Sequence, residues 1–188
     1  MPLYIGLMSG TSLDGIDAVL LDIGDAASAA GMRVRAHRHA PFDAALRADL
    51  LALNSAGADE LRRAALAGNA LALLSAQLVG ELLQAAGVAA AQVRAIGAHG
   101  QTVRHRPGAF DGVGYTLQLN NGALLAERSG IDVVCDFRSR DLAAGGQGAP
   151  LVPAFHAALF RQSGRDIAVL NLGGIANLTL LARDGRVI

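Results

Sequence analysis

The sequence predicts an α/β fold arranged as two lobes around a cleft, on three observations. Apolar runs of strand length mix with Ala/Leu-rich stretches of helical length along the 188 residues. The first three strand-like runs are joined by connections too short for a crossover, so they pair as an antiparallel meander. The opening segment IGLMSGTSLDGIDAVLLDI is matched in kind by the later VLNLGGIANLTLL. Each is an apolar strand, a Gly-rich polar turn and a second strand, and a unit used twice points to duplicated lobes.

Residues 3–8 are a short apolar run that ends at Ser9-Gly10 and reads as a buried strand. Residues 16–23 are a second strand with Asp17 near its start, and 32–39 alternate apolar with Arg and His as a half-exposed third. Pro41 ends the meander. Asp43 caps a helix over 44–53, and Asp59 caps a long Ala/Leu helix over 60–86 that Gly87 stops. Residues 93–98 and 115–119 are strands. Asn121 caps a helix that runs to Ser129 and stops at Gly130. Residues 131–135 are a strand, 145–153 a loop, and 154–160 a helix. Residues 167–172 and 176–181 are strands around a Gly173-Gly174 turn. On this pattern residues 1–160 form an N-terminal α/β lobe and 161–188 begin the second.

Composition removes several function classes. Apolar residues make up 52% and charged residues 17%, enough to build a core. Formal net charge is zero and Arg is scattered, so neither nucleic acid nor another polyanion is an expected partner. All 16 basic residues are Arg. Without Lys this stretch holds no Walker A loop, no protein-kinase nucleotide site and no Schiff base. No uninterrupted apolar run has membrane-spanning length, and the first residues lack the pattern of a signal peptide, so the expected location is cytoplasmic. Cys135 is the single cysteine and reads as a core thiol.

The turn Gly10, Thr11, Ser12, Leu13, Asp14, Gly15, with Ile16 and Asp17 behind it, carries the strongest chemical signal. Its glycines allow close backbone approach, and its hydroxyls and N–H groups suit phosphate oxygens. Asp14 and Asp17 beside a polyanion call for a divalent cation between them. The same residues also make an ordinary hairpin turn. His99, Gln101 and Thr102 follow a strand end, where α/β sheets place ligand clefts, and offer partners for sugar hydroxyls or an amide; a plain loop with a surface His reads the same way. Asp136 and Arg138 follow another strand; the Asp suits a hydroxyl and the Arg a carboxylate, and an ordinary surface ion pair reads the same way. Gly173 and Gly174, with Asn171 and Asn177, either approach the phosphates from the second lobe or form a plain hairpin turn. A dinucleotide-binding Rossmann domain is rejected, because Gly10 to Gly15 lead into a strand rather than a helix.

Four segments taken in order, MSGTSLDGIDAVLLD, IGAHGQTVRHRP, LQLNNGALLAERSGIDVVCDFRSRDLAAGGQGAPLVPAFH and VLNLGGIANLTLL, resemble the anhydro-N-acetylmuramic acid kinase family. The resemblance implies an actin/hexokinase-like sugar kinase fold with ribonuclease H-like lobes, this chain supplying the first lobe and the start of the second. It implies ATP and Mg²⁺, and conversion of 1,6-anhydro-N-acetylmuramic acid with water to N-acetylmuramic acid 6-phosphate and ADP, in recycling of the cell wall. Taken with the residue readings above, nucleotide contacts are expected at the Gly10–Asp17 turn, Asn171, Gly173 and Gly174, with metal at Asp14 and Asp17. Sugar contacts fall to His99, Gln101, Thr102, Asp136 and Arg138. In the family the base that activates water is the Asp of a Phe-Asp-x-Gly-Pro-Gly-Asn segment after the second hairpin. That segment is not among these residues, and Asp184 lies in a turn, so no residue here is assigned as the base and it is expected beyond Ile188. The expectation is therefore an incomplete chain without kinase activity of its own, with Val169, Leu178 and Leu180 partly uncovered and prone to self-association. A homodimer stays open, as do a non-catalytic sugar-binding or assembly fragment and an actin-fold kinase for another substrate.

Overall fold

The computed structural model describes residues 2–24, 31–172 and 176–188. Three strands open the chain: β1 (Leu3–Met8), β2 (Gly15–Ile23) and β3 (Met32–Pro41). They pair antiparallel, with Met8 opposite Asp17 and Asp17 opposite His39. Two helices follow, α1 (Ala44–Ala52) and α2 (Glu60–Ala86), and return the chain to β4 (Val93–Ala98), which lies parallel to β1. Parallel pairing requires such a crossover. After the antiparallel pair β5 (Gln101–Pro107) and β6 (Gly114–Leu119), helix α3 (Gly122–Ser129) leads to β7 (Val133–Cys135), parallel to β4. The main sheet runs β3-β2-β1-β4-β7. Three antiparallel strands continued by two parallel ones are the arrangement of a ribonuclease H-like lobe, so the expected fold class holds. The chain ends with α4 (Phe137–Ala143), α5 (Pro153–Phe160) and a separate hairpin, β8 (Ile167–Asn171) and β9 (Asn177–Leu181).

The core lies between the main sheet and α2. Ile5 and Leu7 alternate inward on β1, as do Ile16, Ala18 and Leu20 on β2, by the period of two that a half-buried strand requires. Leu71, Leu78 and Leu82 meet them along one stripe of α2. Each fully buried Leu or Ile here contributes about 1.5–3 kcal/mol of burial free energy. By length and composition α2 could cross a membrane, but half of its most apolar window is buried inside the fold. Hairpin β8–β9 packs on α5, where His156, Thr179 and Leu181 are buried.

Local chemistry sets the helix ends. The Asp43 carboxylate accepts the Leu46 N–H at 2.7 Å, and Oδ1 of Asn121 accepts that of Leu124 at 3.0 Å. Gly87 and Gly130 close α2 and α3 in left-handed conformation. Asp59 departs from expectation. Its backbone is itself left-handed, its side chain makes no cap, and its carboxylate pairs with Arg62 instead. Cys135 also departs: it ends the edge strand β7 and is exposed rather than a core thiol. Strand β5 and helix α4 are additional to the expected elements, and the strand expected over 131–135 is three residues long.

Candidate functional site

The β1–β2 turn is held from both sides. Leu13, at φ 54°, is buried, and its carbonyl accepts Nε of Arg47 from α1 at 3.1 Å. The Phe42 N–H donates to the Asp14 carbonyl at 3.2 Å. Leu13 and Ile16 thus root the turn in the core, and their side chains serve packing. Gly15 allows a close approach, but to β3: a Cβ there would stand 2.2 Å from the Ala40 carbonyl oxygen. Gly10 has room for one. Beneath the turn, the buried Ser9 hydroxyl donates to Oε1 of the Gln101 side chain. Gln101 is almost fully buried and braces the turn from behind.

Gly10, Thr11 and Ser12 line one side of a cavity of about 660 Å³, and His99, Thr102, Phe137 and Arg138 line another. Residues 149–152, Asn171 and Asn177 complete it. Arg138 is the hinge of the second wall. Its Nε donates to His99 Nε2 at 2.9 Å and its Nη1 to the Gly148 carbonyl at 2.6 Å. The Gly148 N–H in turn donates to Asp141 at 2.7 Å. Since His99 Nε2 accepts, its Nδ1 carries the proton and donates to the Gly100 carbonyl at 2.6 Å. Burial, and then the Arg138 charge, hold the His99 imidazole below its ordinary pKa. Burial also lowers the Arg138 pKa, and among the described residues no carboxylate pairs with it. Among the described residues nothing takes its Nη2, and a half-buried guanidinium so placed attracts an anion.

The structure brings Gly10, Thr11, Ser12, His99, Thr102, Arg138 and Asn171 to one cavity. Asp136 is exposed, with φ 59°, and its neighbour Phe137 lines the cavity instead. Asp17 lies across from β3, where His37 and His39 hold its Oδ1 at 2.9 and 3.3 Å. Asp14 is exposed, and the Ser12 hydroxyl donating at 2.8 Å is the main reason its pKa is lowered. Gly173 and Gly174 lie outside the described residues. Ile188, beyond which the base is expected, is not among the cavity-lining residues. Its side chain is exposed, and its backbone exchanges hydrogen bonds of 3.0 and 2.7 Å with Leu180 on β9. Met8, Phe137 and the 149–152 loop line the cavity without having been singled out by sequence. Only the loop carried a signal, as a Gly- and Pro-rich stretch just before a helix.

Among the described residues no group of three or more His, Cys, Asp or Glu is arranged to hold a metal by itself. A Mg²⁺ bound largely through phosphates and water needs only one or two carboxylates. Asp14, ionised and open to solvent, fits that role, whereas Oδ1 of Asp17 is already shared by two imidazoles.

A family model described as anhydro-N-acetylmuramic acid kinase matches residues 2–188. Curated proteins of that name are similar to the chain. The one from Variovorax paradoxus (strain S110) is 67% identical over 95% of this chain and 47% of its own length. That from Bordetella pertussis is 63% identical over 95% and 45%, and that from Cupriavidus metallidurans 57% over 97% and 47%. The chain thus spans about half the length of the curated relatives it matches. Among solved structures, a ROK hexokinase from Thermus thermophilus aligns with a TM-score of 0.43 at 16% identity, over 99% of this chain and 48% of that one. On the family match and these identities, the chain belongs to the anhydro-N-acetylmuramic acid kinase family.

Proposed function

We propose that this chain supplies the first lobe, and the start of the second from residue 161, of a cytoplasmic ATP-dependent kinase. Its reaction converts 1,6-anhydro-N-acetylmuramic acid, with water, to N-acetylmuramic acid 6-phosphate and ADP, in recycling of cell-wall sugar. The supporting observation is one cavity with a hydroxyl- and amide-bearing turn on one side and, on the other, the Arg138 guanidinium, which no carboxylate among the described residues pairs. The turn takes the phosphates, assisted by Gly173 and Gly174, with Asn171 acting through its hydrogen bond to Asn177. Mg²⁺, near Asp14 and Asp17, supplies charge neutralisation when bound. His99, Thr102 and Arg138 serve the sugar by contact and Gln101 by bracing the turn through Ser9, while Asp136, exposed and outside the cavity lining, takes no part in this reading. Arg138 takes the lactyl carboxylate through its free Nη2 end, since Nε is committed to His99.

The reaction also needs a base to activate water, and a positioned base contributes about 10²–10⁴ in rate. The family's base segment is not among the 188 residues, so we propose that the base belongs to sequence beyond Ile188 and that this chain alone turns over no sugar. The test is binding. By saturation-transfer NMR the purified chain should bind 1,6-anhydro-N-acetylmuramic acid better than 1,6-anhydro-N-acetylglucosamine, which lacks the carboxylate, and Arg138→Ala should remove the difference. Equal binding of both sugars to the unaltered chain would overturn the assignment of Arg138. Sugar-dependent ADP release by the chain would show that the base lies within it.

A further inference from the structure

The hairpin side of the cavity rests on a buried histidine that the reading above leaves unused. His156 lies in the middle of α5, one turn beyond cavity-lining Val152, and is 3% exposed. Its Nδ1 is 3.0 Å from the hydroxyl of Thr179, itself buried on β9. Its Nε2 is 3.4 Å from Nδ2 of Asn171, and that same nitrogen is 3.1 Å from Oδ1 of Asn177. An amide nitrogen only donates, so His156 Nε2 accepts and the ring proton sits on Nδ1, donating to Thr179. Both amide protons of Asn171 are then spent, one on the histidine and one on Asn177. Asn177 accepts through Oδ1, and among the described residues nothing takes its NH₂ group, which belongs to the cavity that both asparagines line.

We propose that His156 is a positioning residue: through Asn171 it fixes the amide orientation of Asn177, whose two N–H donors then face an anionic oxygen of a bound phosphoryl group. The proposal rests on reading the cavity as the nucleotide and sugar site. Its physical basis is that a side-chain amide fills nearly the same volume either way round, so only its hydrogen-bond partners select one orientation. Flipped, Asn177 would turn its carbonyl oxygen on the phosphate and repel it. The Thr179 hydroxyl, donor and acceptor alike, fits either tautomer, so the ordering runs through the ring: with its proton on Nδ1, the bare Nε2 takes one Asn171 proton, and Asn171 gives its other proton to Oδ1 of Asn177. A histidine that merely filled core volume would be replaceable by phenylalanine without loss to a ligand.

The experiment uses the 188-residue chain, ¹⁵N-labelled. Long-range ¹H–¹⁵N spectra should show His156 protonated at Nδ1 and bare at Nε2; the opposite neutral tautomer overturns the relay. His156→Phe, which keeps the bulk and removes both bonds, should weaken ATP–Mg²⁺ binding by about tenfold while leaving 1,6-anhydro-N-acetylmuramic acid within about twofold. His156→Gln, whose carbonyl can accept from Asn171, should recover most of the loss. Asn177→Ala should weaken ATP–Mg²⁺ similarly, and His156→Phe added to it should cost nothing more. Additive losses, or equal losses for both ligands, overturn the proposal. Should His156→Phe fail to fold by circular dichroism, the tautomer and the Asn177→Ala titration still decide it. If the unaltered chain binds neither ATP–Mg²⁺ nor the sugar, the cavity reading fails and this proposal with it. ATP–Mg²⁺ binding that ignores His156→Phe sinks the proposal alone.

Discussion

Gly15→Ala should destabilise the chain far more than Gly10→Ala, although both glycines belong to the same turn. A methyl at residue 15 would stand 2.2 Å from the Ala40 carbonyl oxygen, 2.7 Å from Cε1 of His39 and 2.8 Å from Cα of Pro41. Carbon needs about 3.5 Å from such atoms, so the shortfall at the carbonyl is more than about 1 Å. The imidazole can swing away. The other two atoms are backbone of β3, paired with β2 at Gly15–Pro41 and Ile16–Ala40, and they move only if that end of the pairing opens. Overpacking costs about 1–3 kcal/mol and a lost strand hydrogen bond about 1 more, so about 3 kcal/mol is expected. For a chain of this size that is a fall in Tm of roughly 6–12 °C. At residue 10 the nearest atom to a new methyl is the Ser12 hydroxyl at 3.8 Å, so stability should stay within about 0.5 kcal/mol. That methyl enters the cavity, however, and should lower ATP affinity. Thermal unfolding followed by circular dichroism measures the first effect and titration with ATP–Mg²⁺ the second. Equal melting of the two variants would refute the assignment of Gly15 to strand packing.

Asn121→Ala removes the α3 cap and the 2.7 Å bond from Asn121 to Asn69, and should cost about 1–2 kcal/mol in urea unfolding. His99 is held below an ordinary imidazole pKa in the folded chain, so the unfolded chain takes up its proton first as pH falls. The contribution of His99 to stability is thus complete above about pH 6.5 and declines as pH drops below it toward the folded value. Unfolding curves of the unaltered chain and His99→Gln across that range check the sign; a His99 NMR titration at or above about pH 6.5 would contradict it. Asp14→Asn should weaken ATP–Mg²⁺ binding more than Asp17→Asn, because His37 and His39 already hold Asp17. The reverse order in a calorimetric titration would move the cation to Asp17.

What could be read from sequence was whatever local chemistry decides. Strands β1, β2 and β4 announce themselves because their apolar residues face the same helix, and the Asp43, Asn121, Gly87 and Gly130 helix ends follow from one or two residues each. Strand β5 is hidden because QTVRHRP is mostly polar and pairs only with β6. Helix α4 is hidden because FRSRDLA buries little more than Leu142. In the site, position after a strand indicated a neighbourhood but not a direction. At the start of β5, Gln101 turns inward to Ser9 and Thr102 outward to the cavity. The left-handed backbone at Asp136 exposes that carboxylate, while Arg138 reaches inward to His99 and Gly148.

The order of the main sheet also governs how the molecule behaves in concentrated solution. One border, β3, is long but studded with Arg33, Arg35 and Arg38, whose charges discourage a neighbouring sheet from docking, as does the bulk of His37 and His39. The other border, β7, is only three residues long and offers too little backbone to template a strand. Hairpin β8–β9 has neither protection: Leu170 and Leu178 stand exposed on it, with Leu172 just beyond β8. A preparation of this chain that turns cloudy will therefore do so through the hairpin. Lysine or glutamate at Leu170, Leu172 or Leu178 is the change that should keep it clear without touching the five-stranded sheet.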